Sequence, residues 1–222
     1  MEQLCALKNL TLSFGPKIIF DQTDFIINRG DHIGLLGLNG KGKSCLIKVI
    51  SGAQAADTST PPFNFIKKNS NYGDDFSILH VPQELETPKK KTSIKDYFYY
   101  FYPKIRKIKD ELDQISNQLE TSDEIDHLLN KQKDLMDQME RFDAWTLSKR
   151  YESYLKHFDL KDLDAEIETL SGGEKRKILL SIGLSSNAEL ILWDEPTNHL
   201  DLEAITALEG ELLNNNKTFV II

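Results

Sequence analysis

The sequence predicts an α/β fold: a mostly parallel sheet, a β-rich N-terminal segment and a helical subdomain inserted between parts of the sheet. Three observations carry this. From Gly173 to Ile222, helical patterns alternate with short apolar runs, as strands and crossover helices do. A glycine-rich octapeptide, Gly37 to Ser44, lies between an apolar run and a helical pattern. Between Ile105 and Phe142 apolar residues recur at spacings of three and four, the mark of helices packed in a pair.

The elements follow in chain order. Leu10, Leu12 and Phe14 alternate with polar residues, Gly15-Pro16 turns the chain, and Ile18-Ile19-Phe20 restarts it. Phe25-Ile26-Ile27 is a further strand that ends in the turn signal Asn28-Arg29-Gly30-Asp31. Ile33 to Leu36 reads as a buried strand running straight into the glycine loop. A helix follows from Ser44 to Ile50, closed by Ser51-Gly52 as a C-terminal glycine cap. Ala53 to Pro62 is a loop, and Phe63–Ile66 and Ser77–Val81 are short strands. An aromatic helix is expected over Tyr97–Tyr102.

The middle of the chain differs in character. Ile105, Ile108, Leu112, Ile115 and Leu119 form one apolar stripe, Thr121 to Glu124 interrupts it, and Ile125, Leu128, Gln132, Leu135, Met139 and Phe142 resume it. Two stripes around a polar break predict an antiparallel helical hairpin over about 104–142, each arm about 25 Å long. The alternative reading is an ordinary subdomain core. Helices over Ala144–Phe158, Gly173–Leu184 and Asp201–Leu213, and strands over Glu189–Trp193 and Thr218–Ile222, complete the chain. The whole of 1–222 reads as one domain, with 92–158 as its helical subdomain.

Composition narrows the function classes. The 222 residues are 40% hydrophobic and 28% charged, an ordinary globular balance. There is no apolar run of membrane-spanning length and no signal segment, so direct membrane insertion is not expected. A net charge of -8 argues against coating nucleic acid through bulk charge. Two cysteines, Cys5 and Cys45, have neither metal spacing nor the number for a disulfide framework, and a reducing cytoplasm is the default.

Gly37-Leu38-Asn39-Gly40-Lys41-Gly42-Lys43-Ser44 matches the phosphate-binding P-loop pattern in the strand-to-helix context that the chemistry needs. Glycines let the backbone curl so that successive N–H groups face phosphate oxygens, and the helix that follows adds its positive end. Lys43 would reach the β- and γ-phosphates of ATP, and the Ser44 hydroxyl would ligate Mg²⁺. Within the same stretch Lys41 reads as a solvated loop charge, and Cys45 just after it as a small packing residue. Leu190 to Glu195 is an apolar strand ending in two carboxylates. Asp194 is the candidate Mg²⁺ ligand and Glu195 the candidate catalytic residue that polarises the attacking water. Ser171-Gly172-Gly173-Glu174 is a capping box whose helix start also offers N–H groups and a hydroxyl to an anion.

With these motifs in this order, the chain resembles the ATP-binding cassette (ABC) family over nearly its whole length. The resemblance implies a P-loop ATPase fold of ABC type with an N-terminal antiparallel β subdomain. It assigns Gln83 as the Q-loop glutamine, a nucleotide and metal contact, Leu170–Glu174 as the signature, and Asn198–Asp201 as the D-loop with Asp201 its site residue. Phe14 is similar to the aromatic that stacks on adenine, and a core strand phenylalanine is its alternative reading. The stretch Asp194-Glu195-Pro196-Thr197-Asn198-His199-Leu200-Asp201 and the inserted hairpin are similar to the ABC-F subfamily, tandem-cassette ATPases of which several act on the ribosome. The implied partners are a second cassette, whose P-loop site the signature would complete, and the ribosome or its RNA.

The family pattern continues after the last strand with Ser-His-Asp, and this chain ends at Phe219-Val220-Ile221-Ile222. His199 belongs to the D-loop and does not stand in for that histidine. The expectation is a fragment of a longer chain that binds ATP with little turnover by itself. Other functions weighed are the ATP-binding subunit of a membrane transporter and a DNA-repair or chromosome-organising head. Transporters usually carry a shorter segment before the signature, and such heads a far longer coil. The basic residues Lys104, Arg106, Lys107 and Lys109 are candidate RNA contacts, with a solvated mixed-charge helix face as the other reading.

Overall fold

A computed structural model describes residues 2–58, 78–88, 90–119, 125–198 and 200–222. The strand expected at Phe63–Ile66, the hairpin break at Thr121 to Glu124, and His199 lie outside them. The described residues form two compact units, one drawn from Met1–Ser70, Phe76–Leu85 and Asn187–Ile222, the other from Glu86–Ser186.

The first unit opens with an antiparallel pair, β1 (Gln3–Phe14) and β2 (Lys17–Asn28). Phe14 faces Lys17 across a two-residue turn in which Gly15 has φ 58°, the positive value that hairpin turns ask of their first central residue. β2 is one twelve-residue strand, where the sequence suggested two pieces; register shifts along the ladder absorb the irregular apolar spacing. Asn28, Asp31 and Gly30 turn the chain, with Asn28 N–H bonded to Asp31 Oδ2 at 2.7 Å.

Among the described residues a four-stranded parallel sheet follows: β3 (His32–Gly34), β4 (Ile78–Val81), β5 (Leu190–Trp193) and β6 (Thr218–Ile221), in the order β3-β6-β5-β4. All four residues of β5 are buried, as a central parallel strand must be. Helix α1 (Lys43–Ile50) runs from the glycine loop, and Gly52, at φ 76°, ends it with its N–H on Val49 O. Leu46, Ile47, Val49 and Ile50 of α1 pack with Leu7, Leu10 and Leu12 of β1 and with Leu190, Leu192 and Val220 of the sheet in one core. One expectation fails here. Ile33 to Leu36 is not a buried strand: β3 ends at Gly34 and Leu36 is 98% exposed. Among the described residues β3 lies at the sheet edge, and beyond the Leu35 N–H bond to Ile221 O the chain leaves the sheet for the loop.

The second unit is helical. Helix α2 (Ile94–Tyr97) starts under a Ser93 cap, earlier than the aromatic helix expected at Tyr97–Tyr102, and Phe98–Phe101 tightens into a 3₁₀ turn. Packing sets that geometry: Phe98 and Tyr97 are buried, and Phe98 stacks on Tyr151 at 5.4 Å. Helices α3 (Pro103–Leu119) and α4 (Ile125–Arg141) make the hairpin, with Ile105, Ile108, Leu112 and Ile115 buried against a stripe of Leu128, Leu135 and Met139. Ile125, expected in the stripe, is half exposed at the first turn of α4. Arg106 lies 4.1 Å from the Tyr100 ring centre and 3.9 Å from Asp110, and Lys109 pairs with Asp113 at 2.8 Å, so these two cations belong to a mixed-charge face. Helices α5 (Ala144–His157) and α6 (Gly172–Ser185) complete this unit.

Candidate functional site

Residues 37–44 leave the edge of the parallel sheet and curl back into α1. The curl depends on Gly40 at φ 75° and Gly42 at φ 98°, where side chains are strained. Gly42 is also tightly enclosed: a Cβ there would lie 2.3 Å from Ile19 Cγ2 and 3.4 Å from Phe20 Cζ. Lys43 folds its ammonium into the loop, donating to Gly37 O at 2.8 Å and reaching Leu38 O at 3.4 Å and Asn39 Oδ1 at 3.5 Å. Those are weak neutral acceptors, which a phosphate oxygen would outcompete as a charge-assisted partner.

Beside the loop is a cleft of about 340 Å³ lined by Phe14, Lys17, Ile19, Asn39, Gly40, Gly42, Lys43, Ser44, Cys45 and Glu195. Phe14 is 51% exposed on this cleft, so the core alternative for it is set aside. Cys45, expected as a packing residue, is half-buried and lines the cleft; Lys41 is exposed and does not. Lys17 and Ile19 carry no site signal in the sequence, where Ile19 reads only as a strand residue. Only the hairpin register carries them over the loop, with Lys17 Nζ 3.4 Å from Gly40 O.

The carboxylates stand where β5 ends. Asp194 continues the sheet through its N–H bond to Val81 O and is 5% exposed. Its carboxylate accepts from Ser44 Oγ at 3.1 Å and makes no ion pair among the described residues. A buried carboxylate served by one hydroxyl is under-compensated, and a hard cation would repair that. Burial holds nearby His80 below the usual imidazole range, against the opposing pull of Asp194.

Glu195 has φ 48°, a left-handed value uncommon for a residue with a side chain. Its N–H donates to Ile222 O, and its own carbonyl accepts from Asn198 N–H at 3.3 Å, closing a turn through Pro196. Two side-chain amides converge on one carboxylate oxygen, Oε2: Gln83 Nε2 at 2.7 Å and Asn198 Nδ2. Gln83 thus meets Glu195 directly. Asp201 caps helix α7 (Leu202–Leu213), accepting from Ala204 N–H at 2.7 Å.

In the helical unit, Ser171 and Glu174 form the capping box of α6. Ser171 Oγ accepts from Glu174 N–H, and Glu174 Oε2 accepts from Ser171 N–H at 2.9 Å and Oγ–H at 2.7 Å. These bonds from the Ser171 side chain and backbone keep the Glu174 carboxyl below its usual range. Gly172 has open space around it, leaving the first turn accessible.

The sequence profile described as "ABC transporter" matches residues 20–198. The chain is 28% identical over 225 residues to the ABC transporter ATP-binding protein YfmM of Bacillus subtilis, covering 99% of this chain and 41% of that protein. It is 30% identical over 220 residues to the ATP-binding protein Uup of Haemophilus influenzae, with 99% and 32% covered. It is 28% identical over 214 residues to the energy-dependent translational throttle protein EttA of Mycobacterium tuberculosis, with 95% and 36% covered. The chain spans less than half the length of these relatives. Among solved structures, the ATP-binding subunit of an ABC transporter superposes with a TM-score of 0.66 at 18% identity, over 98% of this chain and 78% of that one, a likeness of fold.

Proposed function

The chain belongs to the ABC transporter family of ATP-binding domains, and from that premise we propose that it is the first cassette of an ABC-F-type ATPase acting on the ribosome. We read 1–222 as a single nucleotide-binding domain whose helical subdomain, 92–158, presents the α3–α4 hairpin as an arm. One observation carries the ribosomal reading: two packed helices of 17 residues each stand between Gln83 and Ser171, where a transporter subunit is expected to have a shorter segment. The likeness to a translational throttle protein supports it. No helix among the described residues is long and apolar enough to cross a membrane.

In this reading Phe14 stacks on the adenine, and the backbone N–H groups of 37–45 cradle the phosphates. Lys43 turns from its loop carbonyls to the β- and γ-phosphates. Ser44, Asp194 and the amide oxygen of Gln83 are hard oxygen donors suited to Mg²⁺. The ion, when bound, would neutralise charge developing on the phosphates. Glu195 polarises water: the water oxygen bonds to the γ-phosphorus, the bond to the bridging oxygen breaks, and ADP leaves with that electron pair. The carboxylate takes up the proton that water sheds. The Ser171–Glu174 signature acts in trans on a nucleotide held by a second cassette, with Asp201 of the D-loop at the same junction.

The test is co-sedimentation of the full-length protein carrying Glu195→Gln with ribosomes, with and without ATP. ATP-dependent pelleting is the expected result. No shift with ATP, beside a ribosome-binding control that pellets, refutes the ribosomal reading.

A further inference from the structure

We propose that Asn198 is a positioning residue for hydrolysis, holding Oε2 of the Glu195 carboxylate so that Oε1 meets the attacking water. The proposal rests on reading Glu195 as the water-polarising group. Its physical basis is the short turn at the end of β5. Glu195 takes a left-handed φ of 48°, Pro196 follows, and Asn198 N–H closes on Glu195 O at 3.3 Å. That turn brings the Asn198 side chain back to the carboxylate three residues earlier, where its Nδ2–H donates to Oε2. No described residue donates to Oε1, while Glu195 itself lines the cleft beside the glycine loop.

A carboxylate on a flexible two-methylene stem otherwise samples several rotamers, and only some aim an oxygen at the water. Gln83 shares the task through its 2.7 Å bond, but it lies two residues beyond β4, on another segment, and its amide oxygen is the proposed Mg²⁺ ligand. Asn198 is carried on the same turn as Glu195 and is tied to it by both backbone and side chain. The position calls for a donor. An aspartate would be the same shape with the opposite effect, setting a second negative charge against Glu195.

The experiment measures steady-state ATP hydrolysis and ATP affinity of the full-length protein carrying Asn198→Ala, Asn198→Asp or Asn198→Ser, each also in a Glu195→Gln background. Asn198→Ala is expected to lower kcat about 10- to 100-fold, the scale of a misplaced catalytic group, with KM and ATP affinity held within about twofold. Asn198→Asp should fall further, and Asn198→Ser, which retains a donor, should recover part of the loss. In the Glu195→Gln background Asn198→Asp should change the residual rate by less than about threefold, because the carboxylate it would repel is gone. A kcat for Asn198→Ala within about twofold of the parent overturns the proposal, as does an equal fractional loss in the Glu195→Gln background. If Glu195→Gln alone turns over at the parental rate, the reading of Glu195 falls and this proposal with it. A slow Glu195→Gln beside an unaffected Asn198→Ala removes the Asn198 role alone. Asn198→Asp, being isosteric, decides the matter should the alanine variant fold poorly.

Discussion

Replacing Gly42 with alanine tests the shape of the glycine loop most directly. At φ 98° an L side chain is strained, and left-handed backbone costs about 1–2 kcal/mol for such residues. The added methyl would also sit 2.3 Å from Ile19 Cγ2, a branch atom that cannot swing away without changing a stiff χ1. Overpacking of this kind costs about 1–3 kcal/mol. Together Gly42→Ala should destabilise the folded chain by about 2–5 kcal/mol, read as a lower urea midpoint at unchanged m-value. Ile19→Ala removes the clashing atom, so in the double variant the packing part should return and the backbone part should not. The coupling between the two sites should therefore be about 1–3 kcal/mol. A loss below about 1 kcal/mol for Gly42→Ala, or strict additivity in the double variant, would refute the reasoning.

Further outcomes are expected elsewhere. Lys43→Ala should weaken ATP binding by about 2–5 kcal/mol, measured by titration with a fluorescent nucleotide, and unchanged affinity would remove the ammonium from its assigned role. Phe14→Ala should cost about 1–3 kcal/mol of nucleotide binding while leaving the unfolding midpoint near the parental value, because the ring is half exposed on the cleft. Burial pushes the Cys5 thiol up to about 11, so at pH 8 an alkylating reagent should modify Cys45 and spare Cys5, and Mg-ATP should slow that modification by covering the cleft; mass spectrometry of the labelled peptides decides it. Tyr151→Phe removes the 2.8 Å bond from a buried hydroxyl to Ile94 O and should lower stability by about 1–2 kcal/mol in urea unfolding.

Much of this protein was legible in the sequence because the features concerned are local. The glycine loop depends on backbone angles at Gly40 and Gly42, the capping box on two side chains three residues apart, and α3 and α4 on a repeat of three and four. An apolar run ending in Asp194 and Glu195 announces a buried parallel strand with acids at its carboxyl end. Each is encoded within a few turns of chain, so periodicity and caps suffice to find it. The errors also have local causes: Leu36 is as apolar as a core residue, and nothing nearby in sequence says that β3 lies at a sheet edge.

The sequence by itself determined the local features: a glycine-rich loop, two acids after a strand, a capping box at a helix start and two apolar stripes at helical spacing. What only the tertiary structure decided is which of these groups meet. Ser44 and Asp194 are 150 residues apart, Gln83 and Glu195 112 apart, and each pair touches because the sheet order β3-β6-β5-β4 brings those strand ends to one edge. Ile19 closes on Gly42 through the β1–β2 register, and Asn198 reaches Glu195 through a left-handed turn that no periodicity announces. Side-chain type and spacing are written along the chain; the convergence of distant side chains follows from strand order and turn geometry, which packing of the whole domain selects.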